Sequence, residues 1–322
     1  MSTPPGRDAF TPRRPGLLCN PGSGRFARDP ERLLRAAQAF PGGLCREGRD
    51  PVGIHAAIRE VLVQGADIII VLGGDGTLQA VLDSLAQAGG TPPHLAIVPC
   101  GTTNMTALDL GCGDSPTRML ARLRRRIEGH EPVPVIRRSV LRVSRHSLPA
   151  LHGMFFGMGI ITAGVRYFRE HVRGTRLSGE KAAGYAALRT LLGLMSGAGA
   201  GSISARISGD DGAAEEGSFL FLMASTLHRL LLGARPYWGN EAAPMHVTSI
   251  RSQPRALWRS LPRVLSGNGR GLEQRDYRSR NLRALTLECE GDFVLDGEIH
   301  PTGPEGGTVC IDADDSIRFA VP

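Results

Sequence analysis

Apolar residues in the first third of the chain fall into short runs that end at glycine turns, and the stretches between them follow helical spacing. GLLCN (Gly16–Asn20) predicts a strand, followed by the loop PGSGRFARD and a helix around Pro30–Ala39. ADIIIVL (Ala66–Leu72) predicts a second strand that runs straight into a glycine turn, with a helix from about Leu78 to Ala88 closed by Gly89 and Gly90. HLAIVP predicts a third strand, and TTNMTALDLG reads as a loop that opens a helix. Strand, loop and helix in repeated order predict a parallel sheet with helices on its faces. SPTRMLARLRRRIEG then reads as a helix with Ser115 as N-cap, Pro116 at its first position and Gly129 past its end. Leu120, Leu123 and Ile127 form its apolar stripe, and its arginines read as a solvated face.

From about Val133 the pattern changes to short alternating runs with turn residues between them: VPVIRRSVLRVSR, LHGMFFGMGI, GSISARIS, SFLFLMAS, PMHVTSI and ALTLECEGDFVLDGEI. This predicts a mostly antiparallel β domain, interrupted by a helical stretch near Glu180–Met195. SGAGAGS (Ser196–Ser202) and SGDDGAAEEGS (Ser208–Ser218) read as mobile loops. The expected division is a disordered lead-in over 1–15, an α/β domain over 16–135 and a β domain over 136–311.

With 322 residues the chain has room for two cores. No run of about 18 apolar residues occurs, so no membrane-spanning helix is expected. MSTPPGRDAFTPRRPG lacks the apolar centre of a signal peptide, and a cytoplasmic protein is expected. Cys19, Cys45, Cys100, Cys112, Cys289 and Cys310 are scattered without a CxxC pair, which argues against a zinc site and a disulfide framework. The net charge of +7 comes almost wholly from arginine; Lys181 is the only lysine. A basic surface suits nucleic acid, anionic lipid or phosphorylated ligands, but no RNA-binding or zinc-finger signature is present, so no nucleic-acid partner is expected.

Asn20–Arg25, Gly73–Thr77 and Gly101–Asn104 are glycine-rich and follow predicted strands. Such loops let the backbone approach a ligand, and their N–H groups at a helix N-terminus suit phosphate. A Walker loop is excluded, because Lys181 lies outside any such pattern. GSGRFA (Gly22–Ala27) matches GxGxxA with Glu47 placed to hold a ribose, an alternative that makes the chain a dinucleotide-binding oxidoreductase but leaves Gly73–Thr77 unexplained. A carboxylate beside phosphates is repelled unless it holds Mg²⁺ or accepts a proton, so Asp75 points to phosphoryl transfer; the alternative is a cap on the helix near Leu78. FVLDGEIH places Asp296 and Glu298 around Gly297, where Asp-Gly is also a common hairpin turn.

Taken in order, these pieces resemble the diacylglycerol kinase catalytic-domain family, which includes bacterial lipid kinases and sphingosine kinases. NPGSGR (Asn20–Arg25) resembles its NPxSGK, GGDGT (Gly73–Thr77) its nucleotide loop, and IVPCGTTNMTALDLG (Ile97–Gly111) its PxGTxNxxAxxLG segment. FFGMGIITAGV, EKAAGY (Glu180–Tyr185) and DGE (Asp296–Glu298) resemble later motifs of the family. GGDGT alone is shared with NAD kinases, which leaves an NAD kinase-like phosphotransferase as the alternative. The resemblance implies an α/β nucleotide-binding domain with a parallel sheet, of the NAD kinase/diacylglycerol kinase type, and a C-terminal β-sandwich domain, with ATP in the cleft between them. It also implies that residues 312–322 return to the first domain, and that the γ-phosphate of ATP passes to a lipid hydroxyl with Mg²⁺. By motif position Asn20, Pro21, Ser23, Gly24, Arg25, Gly73, Gly74, Asp75, Gly76, Thr77, Thr102 and Asn104 line the nucleotide. The family offers two general bases, the Asp of the carboxyl-terminal DGE in bacterial diacylglycerol kinases and the Asp of the glycine loop in sphingosine kinases. Asp296 is assigned as base here with Glu298 in support, and Asp75, the alternative base, as the residue organising Mg²⁺ and phosphate.

The chain departs from the family pattern in three places. Arg25 stands where the family has Lys, the Thr expected after the second strand is not evident in LCREGRDP, and YWGNEAAPMHVTSI lacks the acidic turn that holds a structural Mg²⁺ in many bacterial members. The expected partner is a lipid at the inner face of the membrane, bound peripherally and reversibly, with a homodimer as a further expectation. STLHRLLLGARPYW (Ser225–Trp238) reads as core or as the lining of an acyl-chain cleft, and Arg166, Arg169, Arg173 and Arg176 as groups that attract anionic headgroups.

Overall fold

The computed structural model describes residues 8–172, 201–303 and 307–322. They fall into two compact units, one running up to Arg138 and including Ser316–Pro322, the other spanning Ser139–Asp315. The expected helix over Glu180–Met195, the EKAAGY motif and most of SGAGAGS lie outside the described residues.

The first unit is built on a seven-stranded sheet. Its strands are β1 (Ala9–Phe10), β2 (Pro15–Cys19), β3 (Leu44–Glu47), β4 (Ile68–Gly73), β5 (His94–Pro99), β6 (Val133–Ser139) and the last strand of the chain, β18 (Ser316–Ala320). The order is β1-β6-β18-β5-β4-β2-β3. β2, β3, β4, β5 and β18 pair in parallel, and β1 runs antiparallel to β6. Ile68 through Leu72 are fully buried, as expected of a central parallel strand covered on both faces. β18 lies beside β5 with Phe319 opposite Leu95, and Phe319 and Ala320 join the core.

Five helices cover this sheet: α1 (Pro30–Gln38), α2 (Pro51–Val63), α3 (Asp75–Ala88), α4 (Met105–Asp109) and α5 (Pro116–Glu128). β3 and α2 are not assigned by the hydrophobic pattern, yet α2 carries a clear start signal. The Asp50 carboxylate accepts the Gly53 N–H at 2.8 Å, and Pro51 occupies the first turn. α3 starts three residues before the expected Leu78, so Asp75, Gly76 and Thr77 form its first turn. α5 has Ser115 as its N-cap and buries Met119, Leu120, Leu123 and Ile127.

The second unit is an eleven-stranded antiparallel sheet. Its strands are β7 (Leu141–Arg145), β8 (Leu148–Gly153), β9 (Phe155–Gly159), β10 (Ile203–Gly209), β11 (Ala214–Ser225), β12 (Met245–Arg251), β13 (Tyr277–Leu282), β14 (Ala284–Cys289), β15 (Asp292–Leu295), β16 (Glu298–Pro301) and β17 (Thr308–Asp312). The main path runs β16-β15-β9-β11-β10-β14-β17-β7-β8, and β12 branches from β11 to pair with β13. Phe156, Phe219, Val247, Leu282, Leu287, Phe293 and Val309 come from both branches and share one core. Two helices in this unit escaped the sequence pattern, α6 (Ile160–Tyr167) and α7 (Leu257–Ser266). α7 contains Pro262, a residue that argues against a helix interior. Among the described residues no helix is long and apolar enough to cross a membrane.

Candidate active site

In the first unit the three glycine-rich segments leave the carboxyl ends of the adjacent parallel strands β2, β4 and β5. Their backbones are stitched together: Asn20 N–H donates to the Leu72 carbonyl at 3.0 Å, Cys100 N–H to Gly73 at 2.9 Å and Arg25 N–H to Cys100 at 2.7 Å. Side chains add a second layer. Asn20 donates its amide to Thr77 Oγ1 at 2.8 Å, and Ser23 Oγ lies 3.5 Å from the same hydroxyl. Asn20, Ser23, Gly73 and Thr77 are thereby brought together, and all of them are buried. Arg25 and Gly24 are exposed beside them and Pro21 is half-buried. A Cβ on Gly24 would lie 3.0 Å from Thr102 Oγ1, which places Thr102 over the first loop.

Two glycines carry the approach of the second loop to the third. A Cβ on Gly101 would fall 2.4 Å from Gly74 Cα, and one on Gly74 would fall 2.8 Å from Gly101 Cα. No side chain larger than hydrogen fits at either position. Gly74 is also the N-cap of α3, and no side chain caps that helix. Its first-turn N–H groups therefore keep their capacity for an anion, assisted by the helix dipole.

The Asp75 carboxylate does cap a helix, but a different one from its own. It accepts Met105 N–H at 2.9 Å and Thr106 N–H at 3.1 Å, at the start of α4, and Thr103 Oγ1 at 2.9 Å. The side chain is 8% exposed. Asn104 sits in left-handed backbone with φ 51° and closes the same loop, accepting Gly101 N–H at 2.7 Å and donating to the Gly101 carbonyl at 2.8 Å. Thr103, inside the Gly101–Asn104 loop, is a part of the site whose role the motif alone does not show, because its partner Asp75 lies in another loop.

In the second unit Asp296 and Gly297 form a two-residue turn between β15 and β16, with φ of 46° and 89°. That is the hairpin reading of Asp-Gly, in which both turn residues need positive φ. The turn also delivers a buried carboxylate. Asp296 is 5% exposed and accepts Met154 N–H and Phe155 N–H, each at 2.9 Å. A Cβ at position 153 would lie 2.7 Å from Asp296 Oδ2, so Gly153 makes room for it. Glu298 is exposed and pairs with Arg169 at 2.6 Å, and Arg169 also donates to the Gly297 carbonyl at 2.9 Å. Arg166 pairs with Asp292. These two arginines hold the hairpin, while Arg173 and Arg176 lie outside the described residues.

The donor set of the first unit fits the phosphates of a nucleotide: glycine backbones, an uncapped helix start and the Ser23 and Thr102 hydroxyls. For Mg²⁺ the geometry is more demanding, because Asp75 already receives three donors and would have to release one to become a ligand. In the Ser225–Trp238 stretch, Leu227 is fully buried, Leu232 is exposed, and Trp238 lines a cleft of about 310 Å³ with Leu272 and Tyr277.

The chain thus combines a parallel α/β unit, with glycine loops at its carboxyl edge, and an antiparallel β unit. Residues 16–133 match the family model of the diacylglycerol kinase catalytic domain. That match covers most of the first unit. The chain is 37% identical over 67 residues to "Probable lipid kinase YegS-like" of Stenotrophomonas maltophilia, covering 20% of this chain and 22% of that protein. It is 33% identical over 103 residues to the diacylglycerol kinase of Bacillus subtilis, covering 31% and 33%. These alignments span about a third or less of each curated relative. The crystal structure of a diacylglycerol kinase from Bacillus anthracis superposes with a TM-score of 0.58 at 16% identity, covering 97% of this chain and 98% of that one. A second structure from the same organism gives 0.65 at 17%, covering 97% and 96%. At these identities the likeness concerns the fold.

Proposed function

We propose that this protein is an ATP-dependent lipid kinase, which transfers the γ-phosphate of ATP to a hydroxyl of a diacylglycerol- or sphingosine-like acceptor at the cytoplasmic face of a membrane. The observation that carries the reading is the convergence of Asn20–Arg25, Gly73–Thr77 and Gly101–Asn104 at one edge of the parallel sheet, inside the segment that matches a kinase family. In this reading the N–H groups around Gly74–Thr77 and the Ser23 and Thr102 hydroxyls cradle phosphate oxygens, and Arg25 adds charge. Mg²⁺ bound with the nucleotide would neutralise phosphate charge. Asp75 secures the third loop and, by motif position, is the residue that would face the metal.

Asp296 is assigned as the base that takes the proton of the acceptor hydroxyl. Its two backbone donors fix the plane of the carboxylate, and Arg169 pairs with Glu298. The NAD kinase alternative rests on GGDGT alone, and the oxidoreductase alternative is disfavoured by the first loop. That loop leads into a 3-10 turn at Phe26–Arg28, with α1 starting only at Pro30, rather than opening a helix at its glycines.

The test is transfer of label from γ-labelled ATP in mixed micelles holding diacylglycerol, sphingosine, ceramide, phosphatidylglycerol or a bacterial lipid extract, with NAD in a separate aqueous reaction. Labelled lipid is the expected product. Asp296→Asn is expected to abolish turnover, a fall of at least about a hundredfold, with ATP binding retained. Label on NAD alone, or lost ATP binding in a folded Asp296→Asn protein, would overturn the reading.

A further inference from the structure

We propose that the outer face of α7, together with the turn at Leu232, is a docking surface for an anionic lipid bilayer. Ser260 and Val264 are the buried residues of α7, so they mark its inward side. Trp258, Leu261 and Leu265 follow at i, i+3 and i+7 along a neighbouring stripe, and Trp258 and Leu265 stand 42% and 47% exposed. Leu232 is 64% exposed at the tip of a turn and holds a left-handed φ of 57°, a conformation disfavoured for leucine. That turn is fastened to the helix end, because Arg235 N–H donates to the Leu265 carbonyl at 2.8 Å. Three large apolar side chains are thereby held in water by ordered backbone.

The charge around them selects the occupant. Residues 251–272 contain five arginines and no acidic residue. Arg259 and Arg263 lie on the opposite flank of α7, at i and i+4, and both are exposed. Among the described residues neither they nor Arg270 has an ion-pair partner. Exposed Trp and Leu on one flank of a short amphipathic helix, with arginines on its other flank, is the composition of an interfacial helix, in which the apolar side chains enter the headgroup region and the long guanidinium side chains reach lipid phosphate. A second copy of the chain is a poorer fit. A symmetric contact would bring the same arginines face to face, and a few isolated side chains fall well short of the roughly 800 Å² per partner of a stable interface.

The inference deepens the lipid-kinase reading and rests on it only for the kind of partner; its test uses no ATP. Vesicles of phosphatidylcholine alone and with phosphatidylglycerol are sedimented with the full chain, its Leu232→Ser/Trp258→Ala/Leu265→Ser variant and its Arg259→Gln/Arg263→Gln variant, each first checked for native circular dichroism. The wild type is expected to sediment with anionic vesicles, and each variant to bind roughly tenfold or more weakly. Binding of the arginine variant should depend less on salt than that of the wild type. In a Trp238→Phe background, where Trp258 is the remaining tryptophan, its emission should shift to the blue on the same vesicles. Unchanged sedimentation of both variants overturns the proposal. So does a concentration-dependent dimer that the apolar variant abolishes while vesicle binding persists. Vesicle binding without phosphate transfer to any lipid would leave the docking surface standing and remove the kinase reading.

Discussion

The Asp75 carboxylate and the Met105 amide lie 2.9 Å apart, joining the first turn of α3 to the first turn of α4. With Thr106 N–H and Thr103 Oγ1 also directed at it, Asp75 is the pin of the third glycine loop. Asp75→Asn would turn an NH₂ group toward at least one of these donors. The expected cost is about 2 kcal/mol, seen as an unfolding midpoint lower by about 5 °C. Thr103→Val, which removes one donor, should cost less. A calorimetric scan with no shift in Asp75→Asn would show that the pin is dispensable, and only then could lost activity be ascribed to chemistry alone.

Gly101→Ala is expected to push the third loop off the second. The added methyl would meet Gly74 Cα, a backbone atom that cannot rotate aside. Overpacking of this kind costs about 1–3 kcal/mol, and nucleotide affinity should fall with it. Thr102→Ala, which only shortens a side chain over Gly24, should leave the unfolding midpoint nearly unchanged. Equal midpoints for wild type and Gly101→Ala would contradict the close packing.

His94 should make the first unit sensitive to acid. Burial, and then the charge of Arg318, push its pKa below the ordinary 6.5. The folded chain therefore favours the neutral ring, and the unfolded chain binds the extra proton as pH falls. Its contribution is complete above the ordinary histidine value and is lost as pH drops from there toward the folded value. Urea midpoints measured at about pH 7.5 and 5.5 should fall more in the wild type than in His94→Gln. The ring also stacks on Phe10 at 3.8 Å, so the variant is expected to be weaker at both pH values. Parallel decreases in the two proteins would reject the assignment.

The thiols of this chain should react in a definite order. Cys19 and Cys45 lie 3.7 Å apart, and the hydrogen bond between them raises Cys19 and lowers Cys45. Burial pushes Cys100 and Cys112 up to about 12 and Cys289 to about 11. Because the thiolate is the nucleophile, iodoacetamide near neutral pH should modify Cys45 and the exposed Cys310 first. Peptide mapping that finds Cys100 or Cys112 labelled in the native protein ahead of Cys45 would contradict this.

Much of the first unit was readable because its signals are local. A continuous apolar run such as Ile68–Leu72 can hardly be anything but a buried strand, and a Ser-Pro start with a Gly stop brackets α5. Asp75, Thr77 and Asn20 were legible as a group because GGDGT and NPGSGR are short motifs whose glycines serve close backbone approach. α2, α6 and α7 were not. α2 begins at a capped Asp-Pro, but its apolar residues are diluted by alanine and glycine; α6 follows a strand without a break; α7 contains a proline.

What the sequence determined by itself was composition, strand and loop order, and which residue types stand at the loops. The partners of those residues belong to the tertiary structure. Asp75 was legible as a carboxylate near a helix start, but that its helix is α4, thirty residues on, depends on β4 and β5 lying side by side. Asp-Gly at 296–297 was legible as a turn, but the burial of Asp296 against Met154 and Phe155 depends on β15 pairing with β9. Local propensity acts over a few residues and hydrogen bonds over about 3 Å, so only the fold can choose which distant donor a carboxylate meets.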